Sequence, residues 1–321
     1  MGRFPAESTP ANSVSETPSQ CIQSGFCSCE EPRFYATADA LFLKLDQGTR
    51  QAMPVVINQD TGETALTTHD LDYNMVAGPR LAFGYRLNEC GTIEASYFGL
   101  HHWDATAEVT GNNNLRLPGD LPLATLDFFD ADHMRLDYSS ELNNVEINYY
   151  RRTGFENLSL LVGFRYLNLN ETFNIHSNDV DTGGSDYNIR ATNNLFGAQF
   201  GGRWQKDWDR LGLDFVGKAG IFGNSAKQHT FVGDFDNTYV MRDSTTTGAN
   251  AAFIGELGFN GSYRLTQALC VRAGYNLIWI EGLARAMDQL DFTDTPTSGT
   301  TLVIGKGAFL HGGNVGLEAR W

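Results

Sequence analysis

The sequence predicts an all-β fold: a transmembrane antiparallel β-barrel of about ten strands, with long external loops and short periplasmic turns. Three observations carry this. First, the last seven residues, Val315 to Trp321, alternate apolar and non-apolar side chains and finish on an aromatic ring. Chain ends of soluble domains usually fray, so such ordered alternation makes this terminus a packed strand with one face toward lipid. Second, the same period-two pattern recurs along the chain from about residue 33. Third, the segments that carry it are joined alternately by long and short connections and are even in number, which is how outer-membrane barrels are strung.

Taken in order, strand chemistry is expected at 33–45, 74–86, 92–105, 134–150, 158–175, 187–205, 211–228, 249–264, 269–284 and 309–321. Long loops are expected near 46–73, 106–133, 176–186, 229–248 and 285–308. Tight turns are expected at Leu87–Gly91, Arg152–Asn157, Lys206–Arg210 and Leu265–Ala268. Both termini then lie on the periplasmic side. In the second strand the large apolar residues Leu81, Phe83 and Tyr85 share one face, and in the third Ala95 and Tyr97 share the face away from Glu94. Val145, Ile147 and Tyr149 oppose Glu146 and Asn148, while Phe196, Ala198, Phe200 and Trp204 oppose Gln199 and Arg203. Leu213, Phe215, Ala219 and Ile221 oppose Asp214 and Lys218. Phe253, Leu257, Phe259 and Tyr263 oppose Glu256, Asn260 and Arg264, and Val271, Ala273, Tyr275 and Leu277 oppose Arg272 and Asn276.

A soluble β-sandwich also alternates. Two features argue against it. The polar face mixes Gly, Asn and Gln with isolated charges of both signs, as a crowded interior would, and Tyr85, Tyr97, Tyr149, Tyr166, Trp204, Tyr263 and Trp321 stand toward strand ends, where an aromatic girdle lies.

No apolar run approaches the ~18 residues of a spanning helix, so insertion by helices is excluded while insertion by strands is not. Residues 33–321 read as one barrel domain, and 1–32, rich in Ser, Thr, Pro and Glu, as a disordered periplasmic tail. That tail has no apolar signal core, so a signal peptide is expected upstream of Met1. The net charge of −15 argues against nucleic acid as a partner. Of five cysteines, Cys21, Cys27 and Cys29 fall in the tail and Cys90 and Cys270 near turns. The odd number completes no disulfide framework and no zinc site, and the thiols read as incidental or local to the tail.

Several stretches resemble the putative beta-barrel porin 7 family of outer-membrane proteins. They are Phe34 to Leu45, Gly78-Pro79-Arg80-Leu81-Ala82-Phe83-Gly84-Tyr85, Val145-Glu146-Ile147-Asn148-Tyr149, Gly163-Phe164-Arg165-Tyr166, Asn194 to Gly201, and Leu310 to Ala319. The resemblance spans roughly 33–321 and implies a bacterial outer-membrane location and a barrel more firmly than it implies conduction.

Ten strands enclose a bore only slightly wider than the eight-stranded type that side chains fill. Its inward charges are expected to be Arg80, Arg165, Arg203, Lys218, Arg272 and Arg320 against Glu94, Glu146, Asp214, Glu256 and Glu318. Such a set either lines a narrow passive channel for small solutes or ions, the reading preferred here, or seals the bore as a paired network in a non-conducting structural or surface-display barrel. No cofactor is expected. The external loops carry about 19 acidic residues against about six basic ones. Such loops suit solvation, or divalent cations bridged to anionic lipid. Outer-membrane lipid and the barrel-assembly machinery are the other expected partners. The rival enzymatic reading is an omptin-like surface hydrolase built on His101-His102-Trp103-Asp104 and Asp130-Ala131-Asp132-His133. Both clusters fall on one hairpin and match no omptin motif, so no enzymatic activity is expected.

Overall fold

The structure is a computed structural model and describes residues 32–46, 52–123, 126–180, 183–234 and 238–321. The expected tail 1–32 lies outside the described residues apart from Pro32. Among the described residues, ten strands form the wall. They are β1 (Phe34–Asp46), β4 (Val76–Arg86), β5 (Gly91–Arg116), β6 (Ala131–Arg152), β7 (Leu158–Asp179), β8 (Gly183–Asp207), β9 (Leu211–Asp234), β10 (Val240–Arg264), β11 (Leu269–Leu283) and β12 (Lys306–Arg320). Each neighbouring pair is antiparallel, and β1 pairs with both β4 and β12, so the sheet closes on itself. The chain ends complete the closure: Phe34 N donates to Trp321 O at 2.9 Å and Trp321 N to Phe34 O at 3.0 Å. A closed sheet leaves no unpaired edge, which is what a strand-built membrane protein requires.

The side-chain alternation changes sense partway along the wall. Near the short turns the apolar residues point out: Val162, Phe200 and Ile221 are 58%, 68% and 73% exposed, with no protein packed over them. Farther toward the long loops the apolar residues occupy the opposite parity and point in. On β6, Val145 and Ile147 face out while Leu136 and Leu142 are fully buried; on β7, Val162 and Phe164 face out while Leu167, Phe173 and Ile175 are buried. An outward apolar band fits a hydrocarbon layer, and an inward one fits a core surrounded by water.

Strand lengths agree with this division. About 9–11 residues cross a bilayer, whereas β5 to β10 run for 22–26 residues. β1, β4, β11 and β12 have only 11–15. Six strands therefore continue beyond the apolar band as a curved half-wall. Its open side is filled by two connections that fold inward. One holds β2 (Pro54–Asn58) and β3 (Thr64–Thr67), a hairpin tied to the end of β5 by Ile57↔Arg116 and Asn58↔Leu115. The other follows β11 and contains a 3-10 turn at Ala286–Gln289. Val55, Val56, Leu71, Leu283 and Met287 pack there in one cluster with Leu136, Phe173 and Tyr187 of the wall.

The structure revises the expected strand bounds chiefly at this end, and it corrects one reading at the other: Cys90, expected as an incidental thiol, is disulfide-bonded. β5 runs on to Arg116 and β10 begins at Val240, so the loops are shorter than expected. The Thr-rich start of β10 carries no apolar alternation, yet its ladder with β9 holds it, Ser244 opposite Thr230 and Thr246 opposite Gln228. Of the segments expected as external loops, the described residues 52–73 and 285–308 instead contribute to the interior.

Candidate functional site: the charged bore

Within the apolar band most inward side chains are polar, with Ala82 and Val216 among the exceptions, and strand parity puts all eleven charged residues singled out from the sequence on the bore side. They form three connected groups. In the first, Arg165 of β7 donates to Glu146 of β6 at 2.6 Å and to Glu256 of β10, and Lys218 of β9 reaches the same two carboxylates at 2.9 and 3.1 Å. Gln199, Asn144 and Asn148 donate to the remaining positions of Glu146. Both Arg165 and Glu146 are almost wholly buried. Charges this dry persist only when their partners and lone pairs are satisfied, and here two cations meet two carboxylates.

In the second group Arg203 of β8 pairs with Asp214 and approaches Glu94 of β5 at 3.5 Å. Glu94 also accepts from the hydroxyls of Tyr35 at 2.5 Å and Tyr150 at 3.1 Å. Gly84 makes the tyrosine fit, because a Cβ there would come within 2.0 Å of the Tyr35 ring. In the third group Arg80 of β4 donates twice to Asp39 of β1, at 2.7 and 3.0 Å, and once to Asn276 of β11 at 2.8 Å. Arg272 stands 3.4 Å from Asp39 and 3.7 Å from Glu318, which also binds Arg320.

Asp39 was not among the residues singled out. With it, six inward cations face six inward carboxylates. Its signal was present: Thr37, Asp39 and Leu41 share one face of β1 while Ala36, Ala38, Ala40 and Phe42 share the other.

A cavity of about 80 Å³ remains between the groups, lined by Tyr35, Arg80, Glu94, Arg203, Lys218 and Glu256 among others. At about 10–15 Å³ for each water it has room for about five to eight water molecules. A smaller one of about 20 Å³ lies among Arg203, Asp207, Asp214, Arg272, Glu318 and Arg320.

Toward the long loops the bore is filled by protein. Glu171 of β7 accepts from Tyr138 at 2.6 Å, from Arg285 and from the backbone of Ala286 at 2.8 Å, while Asn193 of β8 exchanges two hydrogen bonds with Ala284, at 2.7 and 2.8 Å. Farther out, Arg242 of β10 donates to the carbonyls of Asp291 and Thr293 at 2.9 and 2.8 Å. Partial burial would push the Asp291 carboxyl up, but hydrogen bonds from Thr293 and Gly299 and the nearby Arg242 charge hold it below its ordinary value. The segment after β11 is thus anchored to three different strands.

The rim clusters are not assembled. His102 sits at a bulge in β5 with φ 66°, Trp103 is buried with Nε1 donating to the Leu43 carbonyl, and His101 lies 3.9 Å from Glu141. His133 lies 3.5 Å from Glu108, and its ladder partner is Thr110. At about 3.3 Å per residue this puts the two histidines roughly 30 Å apart along the wall. Asp132 instead accepts from the backbones of Asn113 and Val180, and Asp130 from the Gln59 amide. Among the described residues no three His, Cys, Asp or Glu side chains are grouped as metal ligands.

A closed ten-stranded barrel with an outward apolar band and a charged interior is the architecture of outer-membrane β-barrels. Residues 36–321 match the Putative beta barrel porin-7 family, and the chain belongs to it. No curated protein sequence matches significantly. Among solved structures, the outer membrane protease OmpT from Escherichia coli superposes with a TM-score of 0.50 at 11% identity, covering 93% of this chain and 100% of that one. The translocator domain of the autotransporter NalP from Neisseria meningitidis gives 0.41 at 11% identity, covering 92% and 90%. The toluene transporter TodX of P. putida gives 0.34 at 9% identity, covering 92% and 91%. At such identity the likeness to OmpT is one of fold.

Proposed function

We propose that this protein is a bacterial outer-membrane barrel whose bore is closed at rest, and that it serves by displaying the structured, acidic end beyond the membrane instead of passing solute. The observation that carries this is the double seal. The Glu146–Arg165–Glu256–Lys218 quartet joins side chains across the bore inside the apolar band, and beyond it the cluster around Leu136, Phe173, Leu283 and Met287 fills the half-wall. A solute would have to break buried ion pairs and then displace packed apolar side chains. Proteoliposomes carrying the purified protein should swell in small sugars or amino acids no faster than empty ones; swelling that depends on the protein would refute the reading.

A second reading, a narrow passive channel, is favoured by the charge-lined cavity beneath the quartet. In that case the quartet and the segment after β11 form a gate, and swelling should appear once that segment is released.

A further inference from the structure

The outward apolar band ends differently at its two boundaries. Toward the long loops the outward residues just beyond it are amides and acids: Asn143 and Glu141 on β6, Asn168 and Asn170 on β7, Asn194 on β8 and Glu281 on β11. Toward the short turns cations prevail. Among the described residues, the strand ends and turns at 32–33, 86–91, 151–158, 205–211, 264–269 and 320–321 hold eight Lys and Arg against four Asp and Glu, in a chain that carries 23 against 38. We propose that the outer wall at this end binds the headgroup of an anionic phospholipid of the periplasmic leaflet, with Arg151, Lys206 and Arg210 as the cations that meet its phosphate. This rests on the outer-membrane reading above.

Position separates these three from the rest of the rim. Arg151 follows Ile147 and Tyr149 on the outward face of β6, Lys206 follows Phe200 and Trp204 on that of β8, and both are exposed. The Lys206 ammonium stands 5.6 Å from the centre of the Trp208 ring, and Arg210 lies beside the Tyr263 hydroxyl. The neighbouring Asp207 turns to Arg320 at 3.8 Å on the bore side, and among the described residues none of the three cations forms an ion pair. Basic side chains held among aromatic rings at the edge of an apolar band sit at the depth of lipid headgroups, where anionic ones attract them.

The wall between Arg151 and Lys206 can seat a lipid. Arg151 is opposite Leu160, Leu160 opposite Gly202, and Gly202 opposite Gly217. A Cβ at Gly202 would come no nearer than 3.6 Å to any neighbour, so the wall there is a shallow open floor. The exposed Leu160, Val162 and Phe200 continue from it into the band and offer an apolar track to acyl chains. β6 and β8 are two strand spacings apart, about 9.6 Å, and Lys206 lies four residues, about 13 Å, beyond Gly202. Their Cα atoms are therefore about 16 Å apart, and two long side chains leaning toward each other close on one headgroup. A cell-wall polymer would instead meet groups projecting along the barrel axis, where the turns carry Glu89 and Glu156.

The test uses the full chain purified in detergent, mixed with equal amounts of dioleoyl phosphatidylglycerol and dioleoyl phosphatidylethanolamine and read by native mass spectrometry. Wild type should retain the phosphatidylglycerol in clear excess. One Lys or Arg near an anionic surface contributes about 1 kcal/mol, so each of Arg151→Gln, Lys206→Gln and Arg210→Gln should lower that excess about fivefold. Arg264→Gln removes the same charge from the bore-side parity of β10 and should leave it unchanged. Heat-modifiable migration on gels verifies the barrel in every variant. Equal retention of the two lipids by wild type, or a loss in Arg264→Gln as large as in the other three, overturns the site. So does sedimentation with purified cell-wall sacculi that these cations control while lipid preference does not change. Failure to insert into vesicles of either lipid would strike the outer-membrane reading itself, whereas insertion with equal retention strikes only this site.

Discussion

Arg165 lies between Glu146 and Glu256, hydrogen-bonded to both, so that one guanidinium from β7 ties the adjacent strand β6 to β10, three strands away. The contact spans the bore and is almost wholly buried. Removing one member of a buried pair leaves the others uncompensated, so this residue bears on both stability and closure.

Arg165→Met should therefore lower the unfolding free energy by about 3–5 kcal/mol, since Glu146 and Glu256 are left to share Lys218. Adding Glu256→Gln should recover part of the loss. Urea unfolding in a lipid or detergent host would measure it, and a double variant no more stable than the single one would show that the pairing is not the cause.

Phe215 and Val216 test the register. Phe215 is half-exposed on the outer face against Phe259, while Val216 lines the cavity. Phe215→Arg should cost about 2–4 kcal/mol near the bilayer midplane. Val216→Arg meets Gly258, where a Cβ would already lie 2.9 Å from Val216, so it should act by crowding the bore. Moving from thin to thick bilayers should change the cost of the first and leave the second unaltered. The same dependence in both would mean that the faces are misassigned.

Much of this was legible in the sequence, and the reasons are specific. Strand parity alone places Arg80, Glu94 and the other nine charges on one side, because a one-residue slip would put Phe215 and Ile221 into the bore. The change of sense along β6, from inward Leu136 and Leu142 to outward Val145 and Ile147, is also written in the sequence, as apolar residues switching from even to odd numbers. The fate of 46–73 and 285–308 was not legible. Val55-Val56 is too short a run to read as a strand, and nothing local says that Arg285 will meet Glu171, 114 positions earlier. That contact arises only once the half-wall stands.

Glu171 holds the inward segment, so Glu171→Gln should loosen it. Arg285 would keep a hydrogen-bond acceptor but lose its counter-charge, and limited proteolysis should then cut within 284–305 several-fold faster while the wall strands stay resistant. Unchanged cleavage would mean that the apolar contacts of Met287 and Leu283 suffice.

His176, on the outer face of the half-wall, is hydrogen-bonded to Asp186 and lies 3.4 Å from Asp137. The bond to Asp186 raises its pKa above the ordinary 6.5, against a smaller opposing effect of partial burial. A raised value means that folding favours the protonated ring. The contribution is present below about pH 6.5, as long as Asp186 stays ionised, and is lost as pH rises through the raised value. The thermal midpoint of wild type should exceed that of His176→Gln by more at pH 6 than at pH 9. A gap that widens with pH would contradict the pairing.

Single-channel recording in planar bilayers shows whether the bore is shut by its own side chains. Wild-type protein should give no discrete current steps at moderate voltage and neutral pH, and steps should appear only when both seals are weakened together, as in Arg165→Met combined with Glu171→Gln. Regular, reproducible steps from wild type, with ion selectivity altered by Arg272→Ala, would contradict the closed barrel and establish the channel.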